Sequence, residues 1–164
     1  MALSIVETLA TRGKIDQTYL IQCFARRFAE EPWRGYTGGM KDLVRQIGYA
    51  VSTGSDWKEK TQQYLGGGSY GNGAAMRVAP LGAFFADNLP TCIEQAQLSA
   101  EVTHAHKEGI AGAIAVAVAA SLAYAVRNGK IYESDEYLQS IIQHTPESET
   151  RNGIQTACLM PVTT

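Results

Sequence analysis

The chain has 164 residues, of which 45% are hydrophobic and 18% are charged, and its formal net charge is −2. This length accommodates one domain with a sizeable core, and the charge balance excludes a strongly basic surface for nucleic acid or an anionic membrane. The three cysteines, Cys23, Cys92 and Cys158, lie far apart, which argues against a disulfide framework and against a structural zinc site. Because the N-terminus also lacks a signal-peptide pattern, we expect a cytoplasmic protein.

Apolar side chains at helical spacing predict a succession of helices, and no hairpin signal interrupts them. Asp16 is a suitable N-cap for the second helix and Ser134 for the last one, while Pro80 is expected to kink the fifth helix. The predicted helical segments are 3–12, 16–31, 43–51, a short one from 55, 73–86, 91–102, 108–127 and 135–143. The sequence therefore predicts an all-α bundle, and a single domain is expected over residues 1–164.

The segment from Gly109 to Val126 contains no charged residue over 18 positions. That length allows a membrane-spanning helix, but alanine contributes little transfer energy, and no aromatic belt or basic flank brackets the segment. Small side chains let neighbouring helices approach closely. The segment therefore predicts a buried central helix, with a membrane span as the alternative.

The stretch GGGSYGNGAAMR at residues 66–77 carries five glycines in its first eight positions and then continues into good helix formers. Such a loop offers unpaired N–H donors beside the positive end of a helix, which is typical of phosphate binding. No apolar strand precedes it, so the Rossmann pattern fails, and Asn72 and Gly73 stand where a P-loop needs Lys and Ser or Thr. A flexible surface turn is the alternative.

Polar and aromatic side chains on this loop favour a nucleotide ligand. Ser69, Tyr70 and Asn72 provide a hydroxyl, a stackable phenol and an amide, and Tyr64 could form the opposite wall of a stacking slot. A second polar stretch, THAHKE at 103–108, precedes the alanine-rich helix. Its two histidines would need further ligands to hold a metal, and a helix start capped by Thr103 or His104 is the alternative.

Two stretches, GSYGNGAAMRVAPLG at 68–82 and THAHKEGIAGAIAVA at 103–117, resemble the ADP-ribosylglycohydrolase family. MALSIVETL at the N-terminus and NGIQTA at 152–157 are similar to further parts of that family. The resemblance implies an orthogonally packed all-α bundle. It also implies hydrolysis of the glycosidic bond between ADP-ribose and a protein side chain or small acceptor, with a pair of Mg²⁺ ions.

The same resemblance assigns the substrate-binding residues. Tyr70 is expected against the adenine, Tyr64 as a second aromatic facing it, and His104 near the distal ribose or a phosphate. The residues expected to cradle the diphosphate and its ribose are Gly68, Ser69, Tyr70, Gly71 and Asn72.

The family's two magnesium motifs, Thr-Asp-Asp-Thr and Asp-x-Asp-Thr, are absent from this chain. We therefore expect a fragment that retains the ADP-ribose cradle, has no catalytic or metal-binding residue of its own and is inactive alone. Its apolar faces are expected to make it prone to aggregation. Two alternatives remain open: a non-catalytic helical module that binds ADP-ribose, and a structural or regulatory helical protein whose glycine loop is only a turn.

Overall fold

The computed structural model describes residues 1–160, and this part of the chain forms nine α-helices, one 3-10 turn and no strand. The last four residues of the predicted domain lie outside the described part. The helices are α1 Ala2–Arg12, α2 Gln17–Glu30, α3 Gly38–Thr53, α4 Trp57–Gln63, α5 Ala75–Phe84, α6 Leu89–Glu101, α7 Lys107–Arg127, α8 Ser134–His144 and α9 Glu149–Cys158, and the 3-10 turn is Tyr64–Gly66. The all-α prediction is confirmed.

The helix ends follow local chemistry. The Asp16 carboxylate accepts a hydrogen bond from the Tyr19 amide and caps α2, as predicted, and α1 ends at Gly13, whose φ of 69° suits glycine. The predicted cap at Ser134 is wrong by one residue. Ser134 is the first residue of α8, and Glu133 occupies the N-cap position, where its N–H donates to the Glu136 carboxylate.

Three helices differ from the sequence prediction. Helix α3 begins at Gly38, five residues before the predicted start at 43. Helix α5 continues through Pro80 but ends at Phe84, two residues early. Helix α9 was not predicted as a helix, because its sequence, ETRNGIQTAC, contains few apolar residues; in the structure none of its residues is buried. Its start is nevertheless defined by Ser148, whose hydroxyl accepts a hydrogen bond from the Arg151 amide.

Helix α7 lies at the centre of the bundle and packs most extensively against α5 and α6. Its buried side includes Ala111, Ile114, Val118 and Leu122, so the predicted buried central helix is confirmed for that side. The close approach of α5 depends on Gly82, where an added Cβ would collide with the Ala117 carbonyl. By length and composition alone, α7 is also the one described helix that could cross a membrane, and half of its most apolar window is buried.

Candidate functional site

The glycine loop, residues 66–73, connects the 3-10 turn to α5 and reverses direction sharply at its start. Gly66, Gly67 and Gly68 have φ angles of 73°, 148° and 93°, which side-chain-bearing residues rarely adopt. The turn is closed by the Gly68 amide, which donates to the Tyr64 carbonyl at 2.8 Å. Farther along, the Ser69 hydroxyl accepts a hydrogen bond from the Gly71 amide at 3.3 Å.

Part of the glycine pattern has a structural cause that the sequence did not reveal. An added Cβ at Gly68 would lie 2.5 Å from the His106 nitrogen, and one at Gly73 would lie 3.0 Å from the His104 ring. A Cβ at Gly109 on α7 would lie 2.9 Å from the Ser69 carbonyl oxygen. These glycines therefore let the loop close around the His104 side chain, which is 1% exposed.

A cleft of about 660 Å³ opens beside this loop, between the start of α1, the end of α2 and the start of α3. Six of the seven predicted substrate-binding residues line it, and Gly68, which packs against Ala105 and His106, does not. Those six are Tyr64, Ser69, Tyr70, Gly71, Asn72 and His104. The structure therefore brings together residues from two distant stretches of the sequence.

Tyr64 and Tyr70, the two cleft aromatics predicted to bind substrate, are held differently. The Tyr64 hydroxyl lies against Gly39 at the start of α3, where an added Cβ would collide with it. The Tyr70 ring is 57% exposed and lies 5.0 Å from the His106 ring, measured between centroids. Its hydroxyl donates to the Glu149 carboxylate at 2.7 Å, and that hydrogen bond raises the pKa of Tyr70. The Tyr70 ring is therefore tethered at its tip and exposed on its surface.

Several amides of the glycine loop have no protein partner. Within residues 1–160, the N–H groups of Tyr70, Asn72 and Gly73 form no hydrogen bond. They lie directly before α5, whose N-terminal end carries a positive partial charge. This combination of free donors and helix dipole can bind an anion.

Behind the loop, Arg77 on α5 forms a buried polar network. Its Nη2 atom donates to the Ser99 carbonyl and to the Thr103 hydroxyl, each at 2.8 Å, and Thr103 Oγ1 lies 2.8 Å from His104 Nδ1. Burial lowers the pKa of Arg77 to about 9, so the guanidinium stays charged at neutral pH. Burial and, to a lesser degree, the Arg77 charge lower the pKa of His104 to about 4, so its ring is neutral.

The sequence that forms this loop and cleft matches a known family. The family model described as ADP-ribosylglycohydrolase matches residues 1–162. This chain belongs to the ADP-ribosylglycohydrolase family. The resemblance predicted from the sequence is thereby confirmed.

Curated relatives agree with this family assignment. The chain is 31% identical to ADP-ribosylhydrolase ARH3 of Gallus gallus over 149 residues, which are 91% of this chain and 39% of that protein. It is 31% identical to the Bos taurus ARH3 over 150 residues (92% and 40%) and 30% identical to the Homo sapiens ARH3 over 149 residues (91% and 39%). The chain thus spans about two fifths of the length of the relatives it matches.

For an ADP-ribosylglycohydrolase, the described residues do not fit a metal pair. Nowhere in residues 1–160 do three His, Cys, Asp or Glu side chains come together in a way that could hold a metal ion. The acids nearest the cleft are Glu30 and Glu31, and Glu31 forms an ion pair with Arg34 at 3.1 Å. The described residues therefore do not form a metal site by themselves.

Sequence reasoning missed the residues that support the site from behind. His106, and not Thr103 or His104, caps α7 by accepting a hydrogen bond from the Glu108 amide at 3.2 Å, so the capping alternative is wrong. The Glu108 carboxylate instead accepts hydrogen bonds from the amides of Glu149 and Thr150 at 2.9 and 3.0 Å. Arg77 lies within the stretch GSYGNGAAMRVAPLG, but an isolated charge in a sequence gives no sign of burial.

Proposed function

We propose that the cleft binds ADP-ribose, and that this chain supplies the ADP-ribose-binding part of a domain that hydrolyses the glycosidic bond between ADP-ribose and a protein side chain or small acceptor. In the complete family domain this reaction would use magnesium. The observation that supports the proposal most strongly is the convergence of the glycine loop, Tyr70 and His104 on one cleft of about 660 Å³. That volume lies within the range typical of small-molecule sites, about 300–1,000 Å³.

Each part of ADP-ribose has a matching group in the cleft. The free amides of Tyr70, Asn72 and Gly73 are suited to the oxygens of the diphosphate. The exposed Tyr70 ring offers a flat surface for the adenine, and the side chains of Ser69 and Asn72 offer hydrogen bonds to ribose hydroxyls. The two walls of the adenine slot are then Tyr70 and Tyr64.

Binding can be tested by titrating ADP-ribose into the purified chain in a calorimeter. We expect a dissociation constant in the micromolar range, roughly 8 kcal/mol of binding free energy. Tyr70→Ala should weaken binding by about tenfold or more, because base–aromatic stacking contributes about 1–3 kcal/mol. Tyr49→Ala is the matched control, because Tyr49 is 71% exposed on α3 and does not line the cleft. Equal loss of affinity in both variants, or no binding at millimolar ADP-ribose, would contradict the proposal.

We further infer that this chain alone does not hydrolyse its ligand, because residues 1–160 contain no cluster of side chains suited to the metal pair. Incubation of the purified chain with an ADP-ribosylated peptide and Mg²⁺ should release no ADP-ribose above the uncatalysed rate. Release that depends on added Mg²⁺ and on chain concentration would overturn this inference and leave the binding proposal intact.

The absence of a metal-ligand cluster from residues 1–160 also favours a second candidate function, a non-catalytic ADP-ribose-binding module. Both candidates predict binding and no hydrolysis by this chain, so the calorimetric experiment does not separate them. The DNA on both sides of the reading frame does. The hydrolase proposal expects Thr-Asp-Asp-Thr to be encoded upstream and Asp-x-Asp-Thr downstream, while the module proposal expects neither.

A further inference from the structure

A chain of hydrogen bonds runs from the buried Arg77 through Thr103 to the ring of His104 at the cleft. We propose that Arg77 and Thr103 are positioning residues that hold His104 as the Nε2–H tautomer, so that the ring presents an N–H donor to an oxygen of the bound nucleotide. The identity of that ligand rests on the proposed function. The tautomer itself follows from the direction of the hydrogen bonds.

Arg77 sets the direction of these hydrogen bonds. A guanidinium only donates hydrogen bonds, and the two hydrogens of Arg77 Nη2 are used by the Ser99 carbonyl and the Thr103 hydroxyl oxygen. Thr103 Oγ1 is therefore an acceptor toward Arg77. Its single hydrogen remains available for a bond in another direction.

Only one acceptor for that hydrogen is within reach in the part of the chain that the structure describes. Thr103 Oγ1 lies 2.8 Å from His104 Nδ1, and Thr103 is fully buried, so its hydroxyl cannot turn to solvent. If Nδ1 carried a proton, Thr103 Oγ1 would accept from both Arg77 and Nδ1–H, and the buried hydroxyl hydrogen would have no acceptor. His104 Nδ1 must therefore be unprotonated, and in a neutral imidazole the proton then resides on Nε2.

Arg77, the first residue in this series of hydrogen bonds, is held rigidly. Arg77 is 3% exposed, its guanidinium lies 5.0 Å from the Phe24 ring centroid, and its Nη1 atom donates to the Gly73 carbonyl at 3.4 Å. No carboxylate within residues 1–160 forms an ion pair with it. The Nη2 atom of the guanidinium is therefore held against Ser99 and Thr103, while Nη1 faces Gly73.

His104, the last residue in this series of hydrogen bonds, lies against the glycine loop. A Cβ added at Gly73 would lie 3.1 Å from His104 Nε2, and one at Gly71 would lie 3.9 Å from it. Glycine at position 73 thus leaves the Nε2 atom uncovered where the cleft begins. No described residue accepts a hydrogen bond from Nε2, so this donor is available to a ligand oxygen. A neutral N–H selects an acceptor at this point and rejects a donor.

The tautomer can be read directly from the nitrogen resonances of His104 in ¹⁵N-histidine-labelled full-length chain at neutral pH. His104→Gln identifies the resonances by their loss. We expect the wild-type protein to show a protonated Nε2 and an unprotonated Nδ1. A protonated Nδ1, or an imidazolium, would overturn the proposal without any variant being made.

Two substitutions of Thr103 then test its positioning role. Thr103→Val keeps the shape and removes the hydroxyl, so the Nδ1–H form should become populated and the affinity for ADP-ribose should fall by about tenfold. Thr103→Ser keeps the hydroxyl and should restore both the Nε2–H form and the affinity. A Thr103→Val protein that retains the wild-type nitrogen spectrum would overturn the proposal. A wild-type protein with the expected tautomer but no affinity for ADP-ribose would overturn the proposed function and support the positioning role.

Discussion

At the scale of single residues, the cleft depends on polar groups whose protonation is fixed by burial. His104 and Arg77 are both almost fully buried, yet the first is neutral and the second charged at neutral pH. Burial disfavours the charged form of both side chains. The arginine keeps its charge because its pKa starts far above neutrality, and the histidine, whose ordinary value is 6.5, loses it.

This difference predicts a pH dependence of stability. The pKa of His104 is about 4 in the folded chain and 6.5 as its ordinary value, so between these limits the unfolded state binds more protons. Stability should therefore fall as the pH decreases from 6.5 to 4, by on the order of 3 kcal/mol in total. Urea unfolding over this range measures the effect. His104→Gln should flatten the slope, with His144→Gln on α8 as the control, and an unchanged slope in His104→Gln would refute the assignment.

Gly68 gives a second prediction at this scale. Gly68 and Gly129 have nearly the same φ, 93° and 92°, but of the two only Gly68 has atoms within 4 Å of an added Cβ. Both alanine variants carry the strain of a positive φ, so their difference reports the clash with Ala105 and His106. We expect Gly68→Ala to lower the free energy of unfolding by about 1–3 kcal/mol more than Gly129→Ala. Equal losses in chemical denaturation would mean that the loop is not packed as described.

Sequence reasoning identified the residues at the front of the site and missed those behind it. Glycines, Tyr70 and His104 were recognisable because a loop motif concentrates them in short stretches. Arg77 and Glu108 were not, because their roles depend on partners 26 and 41 residues away. Periodicity and spacing report local geometry, while tertiary hydrogen bonds do not leave a local pattern.

At the scale of elements, α9 is held by hydrogen bonds and little apolar burial. The Glu108 carboxylate on α7 accepts the amides of Glu149 and Thr150, and the Tyr70 hydroxyl donates to the Glu149 side chain. No residue of α9 is buried. The sequence did not reveal this helix, because its position is defined by hydrogen bonds between its N-terminus and residues that are distant in sequence.

Glu108 should therefore control the local stability of α9. Burial opposes its charge, but the hydrogen bonds from Thr150 and Glu149 outweigh burial and hold the pKa of Glu108 below its ordinary value of 4.5. Its contribution should be complete above that value and lost as the pH falls through the lower folded value. At neutral pH, Glu108→Gln should weaken the attachment of α9 by about 1.5–3 kcal/mol.

Amide hydrogen exchange of α9 measures this attachment. Exchange should accelerate in Glu108→Gln and stay as in the wild type in Glu94→Gln, whose side chain is exposed on α6. Uniform acceleration across all helices would indicate global destabilisation and contradict a local role for Glu108.

At the scale of the whole molecule, several large apolar side chains remain exposed on helices that pack against one another. Helix α5 contacts both α1 and α7. Among the exposed residues are Val6 on α1, Phe84 on α5 and Tyr124 on α7, with exposed fractions of 45%, 53% and 41%. Exposed apolar surface favours association in water.

The purified chain should therefore self-associate as its concentration rises. Sedimentation velocity should show a larger average mass at high concentration. Phe84→Lys should reduce that mass more than Tyr49→Lys, because Tyr49 is exposed on α3, outside the group of packed helices α1, α5 and α7. A monodisperse monomer with a sharp two-state melt would contradict this prediction.

The central claim, that the glycine loop and His104 form a binding site for ADP-ribose, is tested most directly by mapping chemical-shift changes in the ¹⁵N-labelled chain during a titration with ADP-ribose. We expect saturable chemical-shift changes at residues 64–73 and 104. Shifts confined to the second cavity, around Trp57 and Lys58, or no saturable shift at all, would contradict it.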